Sequence, residues 1–454
     1  MISGSLRRLL APPGRAELWL PAGLVFVALL GGWALRSPHL IALGERDRRA
    51  FGDLPAWRAH FDALSATCGV GLLTNRPHHY TPAGRWTLVV LGTAGAVLYL
   101  AATRQVVGRL AARALPSLRR ILAAAGLVLV LAPVATITAD RLSGAGLGPE
   151  RAAWLGASAA LSLGFGAPPL EAPALRWTLA AVSLLTAVGW GVWLVRPLRR
   201  AGWQLRSLFT AAAVYLFLLI GAAGLMTLYE APRVVSAAVA NRERAVREAA
   251  SERFARWLSA AAAAGGSGIA LDVLADRRAS EGTKLVLAGL VTLGGLGGGL
   301  AGGCKLTALL CVTIFLGKTC AGKAAGAATA VPRVVVAAAG LLASVVGLTL
   351  LVAVGLLAIE SGIGSVYDAP PTVGDALLDA ASAVSGTGLT SGLLESVTSE
   401  RLSSGIQQAV DKYQYGMVWL LAAMLLGRTV PVLVVGRLAA APAADAGRQW
   451  PVVV

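Results

Sequence analysis

The chain has 454 residues, 56% of them hydrophobic and 14% charged, and a formal net charge of +17. A soluble globular protein carries about 25% charged residues, so the composition excludes an ordinary soluble domain and indicates a chain that crosses a membrane several times. The basic excess is then a matter of topology rather than of nucleic-acid binding.

The first 21 residues contain no apolar core leading to a cleavage site, and they read as a retained cytoplasmic end rather than a signal peptide. A bilayer-spanning helix needs roughly 17–25 apolar residues. Runs of that kind lie at 18–35, 86–103, 121–139, 177–195, 207–229, 285–304 continuing past Lys305 to 317, 334–359, and 413–436 with Arg428 inside it. The motif Ser-Ala-x-x-x-x-Gly occurs four times: Ser65 to Gly71, Ser158 to Gly164, Ser259 to Gly265 and Ser382 to Gly388. The copies fall between runs one and two, three and four, five and six, and seven and eight. The predicted fold is an all-α membrane protein of four helix–pore-loop–helix pseudo-repeats, at 18–103, 121–195, 207–317 and 334–437, around a central pore.

A short re-entrant segment ending in Gly, met four times, can build a ring of backbone carbonyls that replaces the water around a cation. The glycine permits dihedrals that other residues resist. Side chains matter less in such a ring, so four different sequences can serve it. The candidates are Cys68, Gly69, Val70 and Gly71; Leu161, Ser162, Leu163 and Gly164; Ala262, Ala263, Ala264 and Gly265; and Ser385, Gly386, Thr387 and Gly388. Small residues also pack helices closely in lipid, and a single copy would be read that way. Four copies, each between consecutive helices, point to pore loops.

Charge tests the layout independently. Loops 104–120, 196–206 and 305–333 hold Arg and Lys and no acid, and only Glu17 and Asp445 of the 23 acidic residues fall on that side. Basic loops face the cytoplasm, which places both termini inside and all four pore loops on the outside. Segment 230–257 mixes charges at helical spacing and predicts an interfacial or extracellular helix. Its interleaved Glu243, Glu248 and Glu252 argue against nucleic acid. Loop 360–412 is net acidic, which suits either a cation-gathering mouth or an ordinary solvated loop. Cys68, Cys304, Cys311 and Cys320 lie in or beside apolar segments away from every His, so they read as free thiols and no structural metal is expected. No apolar run contains His or paired acids, so an enzyme is not expected.

The order of these four units is similar to the Trk/Ktr/HKT superfamily of potassium transporters. DALSATCGVGLLT at 62–74 resembles that family's first pore loop, and DAASAVSGTGLTSGL at 379–393 its fourth. GGLGGGLAGGCK, from Gly294 to Lys305, resembles the glycine-rich break in the second helix of the third unit. LLGRTVP, from Leu425 to Pro431, resembles the Gly-Arg-x-x-Pro stretch of the last helix. The resemblance implies that Gly294, Gly295, Gly297, Gly298, Gly299, Gly302 and Gly303, ended by Lys305, form a flexible gate under the filter. It also implies that Arg428 faces the pore as a barrier to cations. An intramembrane Arg is costly and functional by default; the other reading is a helix-end Arg that snorkels to the interface.

Potassium is the implied transported substrate, with no bound cofactor. The implied assembly is a homodimer in the cell membrane, one pore per protomer, with a cytoplasmic ring of nucleotide-binding regulatory subunits. The basic inner loops face that ring or anionic lipid. The chain departs from the family at Val70, where Thr is common, in LSLG of the second loop, where Asn is usual, and in SAAAAAGG of the third, which lacks the usual Thr, Arg and aromatic. Fewer hydrogen bonds behind the filter are expected. All four loop glycines are kept, which in the family accompanies preference for potassium over sodium. The alternatives are a sodium or poorly selective cation pathway, and a non-conducting scaffold supported only by the alanine-rich third loop.

Overall fold

The computed structural model describes residues 15–37, 39–40, 56–74, 80–111, 118–165, 172–188, 202–240, 250–269, 279–296, 300, 302–320, 333–361, 372–391 and 407–439. Helices account for most of them. In chain order they are α1 (Arg15–Leu35), α2 (Ala56–Thr67), α3 (Pro82–Ala111), α4 (Leu118–Ser143), α5 (Pro149–Ala160), α6 (Pro173–Val188), α7 (Gly202–Ala240), α8 (Ala250–Gly265), α9 (Glu281–Leu293), α10 (Leu306–Cys320), α11 (Arg333–Ser361), α12 (Val373–Ser385) and α13 (Gln407–Ala439).

Five of these, α3, α4, α7, α11 and α13, contain stretches long and apolar enough to cross a bilayer, and α1, α6 and α10 carry shorter apolar stretches. Together they match the eight expected runs. Their outward faces carry exposed Phe26, Trp33, Leu142, Phe217, Leu228 and Val354, the surface a lipid-facing helix presents. The sixth run is divided: α9 stops at Leu293 and α10 begins at Leu306, so the glycine-dense stretch interrupts the helix. The chain is a multi-pass, all-helical membrane protein by these features. Segment 230–257 is helical at both ends, because α7 runs on to Ala240 and α8 starts at Ala250.

Short helices α2, α5, α8 and α12 each lie against the longer helices beside them in sequence. Their C-terminal halves are buried nearly all round. Every residue of α5 from Ala152 to Ala160 is buried, as is every residue of α12 from Asp375 to Ser385 except Leu377. Alanine-rich composition suits this placement, since Ala is the strongest helix former and lets neighbours approach closely. The packing closes on itself. Helix α5 meets α3, α8 meets α6, α12 meets α9, and α13 meets both α2 and α3.

Polar ties fix the ends of the short helices. Arg85 of α3 forks onto Glu150 of α5 at 3.2 and 2.5 Å. Trp154 of α5 donates to the Arg85 carbonyl at 3.1 Å and stacks on Phe165 with ring centres 5.7 Å apart. Glu230 of α7 accepts from Ser280 N and Thr283 Oγ1, both at 2.7 Å, and so caps α9 from outside. Helix α12 starts with a capping box between Thr372 and Asp375.

Lys284 joins α9 to α12. Its Nζ lies 2.9 Å from Glu281 and 2.8 Å from the buried Asp375. Burial pushes both carboxyl pKa values up, but hydrogen bonds from Thr372 and Lys284 outweigh it and hold both below the usual carboxylate range. With folded values depressed, the stabilisation is present above the unfolded value of about 4 and fades as pH falls through the folded values. Lys284→Met should therefore lower the melting temperature at neutral pH, and the gap to wild type should shrink on acidification below about pH 4. A gap independent of pH would dismiss the carboxylates as its source.

Candidate functional site

Each short helix ends in a turn that folds the backbone sharply back. The turn is closed by an amide bonding to a carbonyl five residues earlier: Val70 to Ser65 at 2.8 Å, Leu163 to Ser158 at 2.9 Å, Gly268 to Ala263 at 2.7 Å and Thr387 to Ser382 at 3.3 Å. Gly71, Gly164, Gly268 and Gly388 follow or occupy these points, all with φ between 62° and 81°. Ser162 adopts the same left-handed region without being glycine, at φ 59°.

The four glycines meet. A β-carbon on Gly71 would sit 1.1 Å from the Leu163 carbonyl oxygen, and one on Gly268 would sit 1.0 Å from that of Thr387. On Gly164 it would lie 2.7 and 3.0 Å from the Thr387 and Gly268 oxygens, and on Gly388 2.4 and 3.0 Å from those of Val70 and Leu163. No side chain fits at any of the four. The backbone oxygens of all four turns thus crowd into one small volume, as a carbonyl cage for a cation requires.

The third turn corrects the sequence register. Ala262, Ala263, Ala264 and Gly265 are not at the meeting point; they are the last turn of α8. The chain turns three residues later, and Gly268 stands with Gly71, Gly164 and Gly388. The alanine run favours one further helical turn, which carries the glycine of the motif past the expected place. Gly265 serves packing instead, for a β-carbon there would lie 1.8 Å from the Tyr215 hydroxyl. Cys68, Gly69, Val70, Leu161, Ser162, Leu163, Ser385, Gly386 and Thr387 all lie in or beside the turns.

Sequence reasoning missed the residues that pin these turns. Asp62 of α2 is fully buried and accepts from Thr74 N at 2.6 Å, from Thr74 Oγ1 at 2.9 Å and from the Tyr80 hydroxyl. Asp379 of α12 is equally buried and accepts from Ser391 N at 2.7 Å and Thr390 Oγ1 at 3.4 Å. In both cases the acid precedes the turn glycine by nine residues and its partner follows by three. That spacing was the available signal. The other two turns use hydroxyls: Ser158 Oγ accepts from Phe165 N at 2.8 Å, and Ser267 Oγ lies 2.5 Å from Ser183 Oγ. Among the described residues, three buried hydroxyls in this region, on Ser65, Ser162 and Ser385, find no hydrogen-bond partner.

Arg428 lies in α13 and is only 6% exposed. It does not reach toward an interface. Its guanidinium donates to the carbonyls of Cys68 at 2.5 Å, Gly69 at 3.1 Å, Gly386 at 3.5 Å and Leu300 at 3.3 Å, and its charge sits 5.0 Å from the Tyr99 ring centre. One side chain therefore binds the first turn, the fourth turn and the break between α9 and α10. Gly69 and Gly386 make room for it, since β-carbons there would come within 2.9 and 2.4 Å of its nitrogen.

The break is stitched at its neck by Cys304 N to Thr292 O at 2.8 Å and Leu306 N to Gly295 O at 3.0 Å. Leu296 N reaches Ala187 O of α6 at 2.7 Å. A β-carbon on Gly302 would lie 1.5 Å from the Ser385 carbonyl oxygen at the end of α12, and one on Gly294 would lie 2.0 Å from that of Gly302. Lys305 closes the break in a left-handed conformation, φ 61°. Gly297, Gly298 and Gly299 lie outside the described residues.

The overall fold is similar to that of a solved structure, the crystal structure of the potassium transporter TrkH from Vibrio parahaemolyticus. It matches with a TM-score of 0.61 over 93% of this chain and 85% of that one. The chain has the TrkH fold. At 15% identity the likeness to TrkH is one of architecture. No protein-family model matches the chain, and no curated protein sequence does.

The corrected register gives a direct comparison. Gly268→Ala should disturb the meeting of the four turns, whereas Gly265→Ala should act only as overpacking against Tyr215, costing about 1–3 kcal/mol. Measured by cation-dependent shifts in melting temperature, the first variant should lose its cation response. The second should melt lower with the response intact.

Proposed function

We propose that the chain carries potassium ions across a cell membrane through a filter formed by Val70–Gly71, Leu163–Gly164, Gly268 and Thr387–Gly388. The observation that carries this reading is the convergence of backbone carbonyls from four turns at four glycines that admit no side chain. Carbonyl oxygens are hard, neutral ligands that replace the water of a monovalent cation without trapping it. The TrkH fold supports the same reading, because the solved relative is a potassium transporter. The four long–short–long groups of helices are the pseudo-repeats, and basic loops 104–120, 196–206 and 305–333 orient them with both termini cytoplasmic.

The break from Gly294 to Lys305 is the gate. It lies against the inner end of the filter through Leu300, Gly302 and the Ser385 carbonyl. Arg428 is the latch. While its guanidinium occupies the Cys68, Gly69 and Gly386 carbonyls, a fixed cation stands where a potassium ion would leave the filter. Movement of Leu300 withdraws one of its acceptors and frees it to shift. A homodimer and a cytoplasmic nucleotide-binding ring, as the Trk/Ktr/HKT resemblance implies, would supply that movement.

A sodium or unselective pathway is the lesser reading. The scaffold reading rested on the alanine run, and that run lies in helix α8 while Gly268 takes the expected position.

Rubidium uptake into potassium-loaded liposomes tests the proposal. Competition by external potassium and not by sodium supports a selective pathway; equal competition sinks the potassium assignment. Arg428→Ala leaves up to four carbonyls without their donor, each worth about 1–3 kcal/mol when buried. It should lower the melting temperature and raise basal uptake severalfold. Unchanged uptake in a folded variant would remove the latch.

A further inference from the structure

We propose that Asp62 and Asp379 are positioning residues for ion selectivity, and that the discriminating half of the filter is the pair of turns they hold. The inference rests on the potassium reading above. Neither carboxylate reaches the meeting point of the glycines. Each instead grips the strand that leaves it, Asp62 through Thr74 and Asp379 through Ser391, three residues after Gly71 and Gly388.

The two acids treat their turns alike. Both lie on the buried short helix, both accept a backbone amide at 2.6–2.7 Å, and both add a hydroxyl from the same strand. Ionised acceptors form the stronger, shorter hydrogen bonds. The turn is thereby clamped between its own helix and its own exit strand, with the carbonyls of Val70 and Thr387 inside the clamp. The same positions on the other two short helices hold Leu155 and Ser259, and Ser259 Oγ spends its bond on Arg256 O of its own helix. On their short helices, turns two and three therefore carry no carboxylate at this position.

A second observation singles out the same half. Arg428 binds the inner ends of turns one and four, at Cys68, Gly69 and Gly386, and no inner carbonyl of turns two or three is among its partners. Turns one and four are fixed at both ends, by a guanidinium inside and a carboxylate outside. They are also neighbours, since α13 packs against α2 and α12. A cage tells potassium from sodium when its oxygens resist closing around the smaller ion. The rigid pair can resist; the hydroxyl-held pair adapts.

The test measures preference rather than throughput. Purified Asp62→Asn and Asp379→Asn variants are compared with wild type in two readouts: melting temperature in potassium against sodium chloride, and rubidium uptake with each cation as competitor. Each Asn variant should lose about tenfold of the potassium-over-sodium preference while still binding and passing rubidium. A merely structural role would lower the melting temperature in both salts and leave the ratio unmoved. If Asp62→Asn does not fold, Tyr80→Phe and Thr74→Val remove single donors from the same carboxylate and should shift the ratio in the same direction by less. Preference kept in all variants overturns the assignment alone. Wild-type protein with no preference overturns the potassium reading, and the assignment with it.

Discussion

Non-helical backbone at membrane depth has nowhere to place its amides and carbonyls unless protein or a water-filled cavity receives them. Four turns and a glycine-dense break put such backbone at the centre of this chain. The rest of the structure answers that constraint. Five-residue back-bonds close the turns, carboxylates and hydroxyls hold their exits, and a single guanidinium satisfies carbonyls from three separate segments. The short helices are buried because the turns they end in must be central. The long helices are apolar outside because they face lipid.

The carbonyls left over after this accounting are the ones that matter. Those of Val70, Leu163, Gly268 and Thr387 crowd against the glycines of other turns. A helix would have bonded each to an amide four residues on. The break in helix geometry at each glycine is what leaves oxygen facing oxygen, an arrangement unfavourable on its own that a cation placed among the oxygens would stabilise. Sterics, dihedrals and electrostatics thus select the same residue type at the same four positions.

Much of this was legible in the sequence. The apolar runs located the long helices, and the glycines of turns one, two and four fell where the motif put them. The third did not, and the reason is physical. Counting from Ser259 assumes that the helix ends as the others do, but α8 is a run of alanines that continues through Gly265. The better ruler was the glycine pair. Gly69 and Gly71, Gly386 and Gly388, and Gly266 and Gly268 share one spacing, with Ser162 and Gly164 as its variant. Asp62 and Asp379 were equally visible, nine residues before a glycine, but a lone acid in a loop-rich stretch carries no meaning until its partner twelve residues on is known to return to it.

Arg428 shows where sequence stops. An arginine in an apolar helix announces a role, and snorkelling and pore-facing readings differ only in which way the side chain goes. The structure sends it inward, onto neutral carbonyls, and among the described residues no carboxylate is hydrogen-bonded to it. A carboxylate would hold the charge firmly and neutralise it. Carbonyl dipoles hold it loosely and leave it positive, and they are the same class of ligand that a potassium ion seeks. On the proposed reading, arginine and ion compete for one kind of site, and a small displacement of Leu300 would shift the balance between them. A lysine could supply the charge but not the planar fork that spans three segments at once, so the geometry calls for guanidinium at this position.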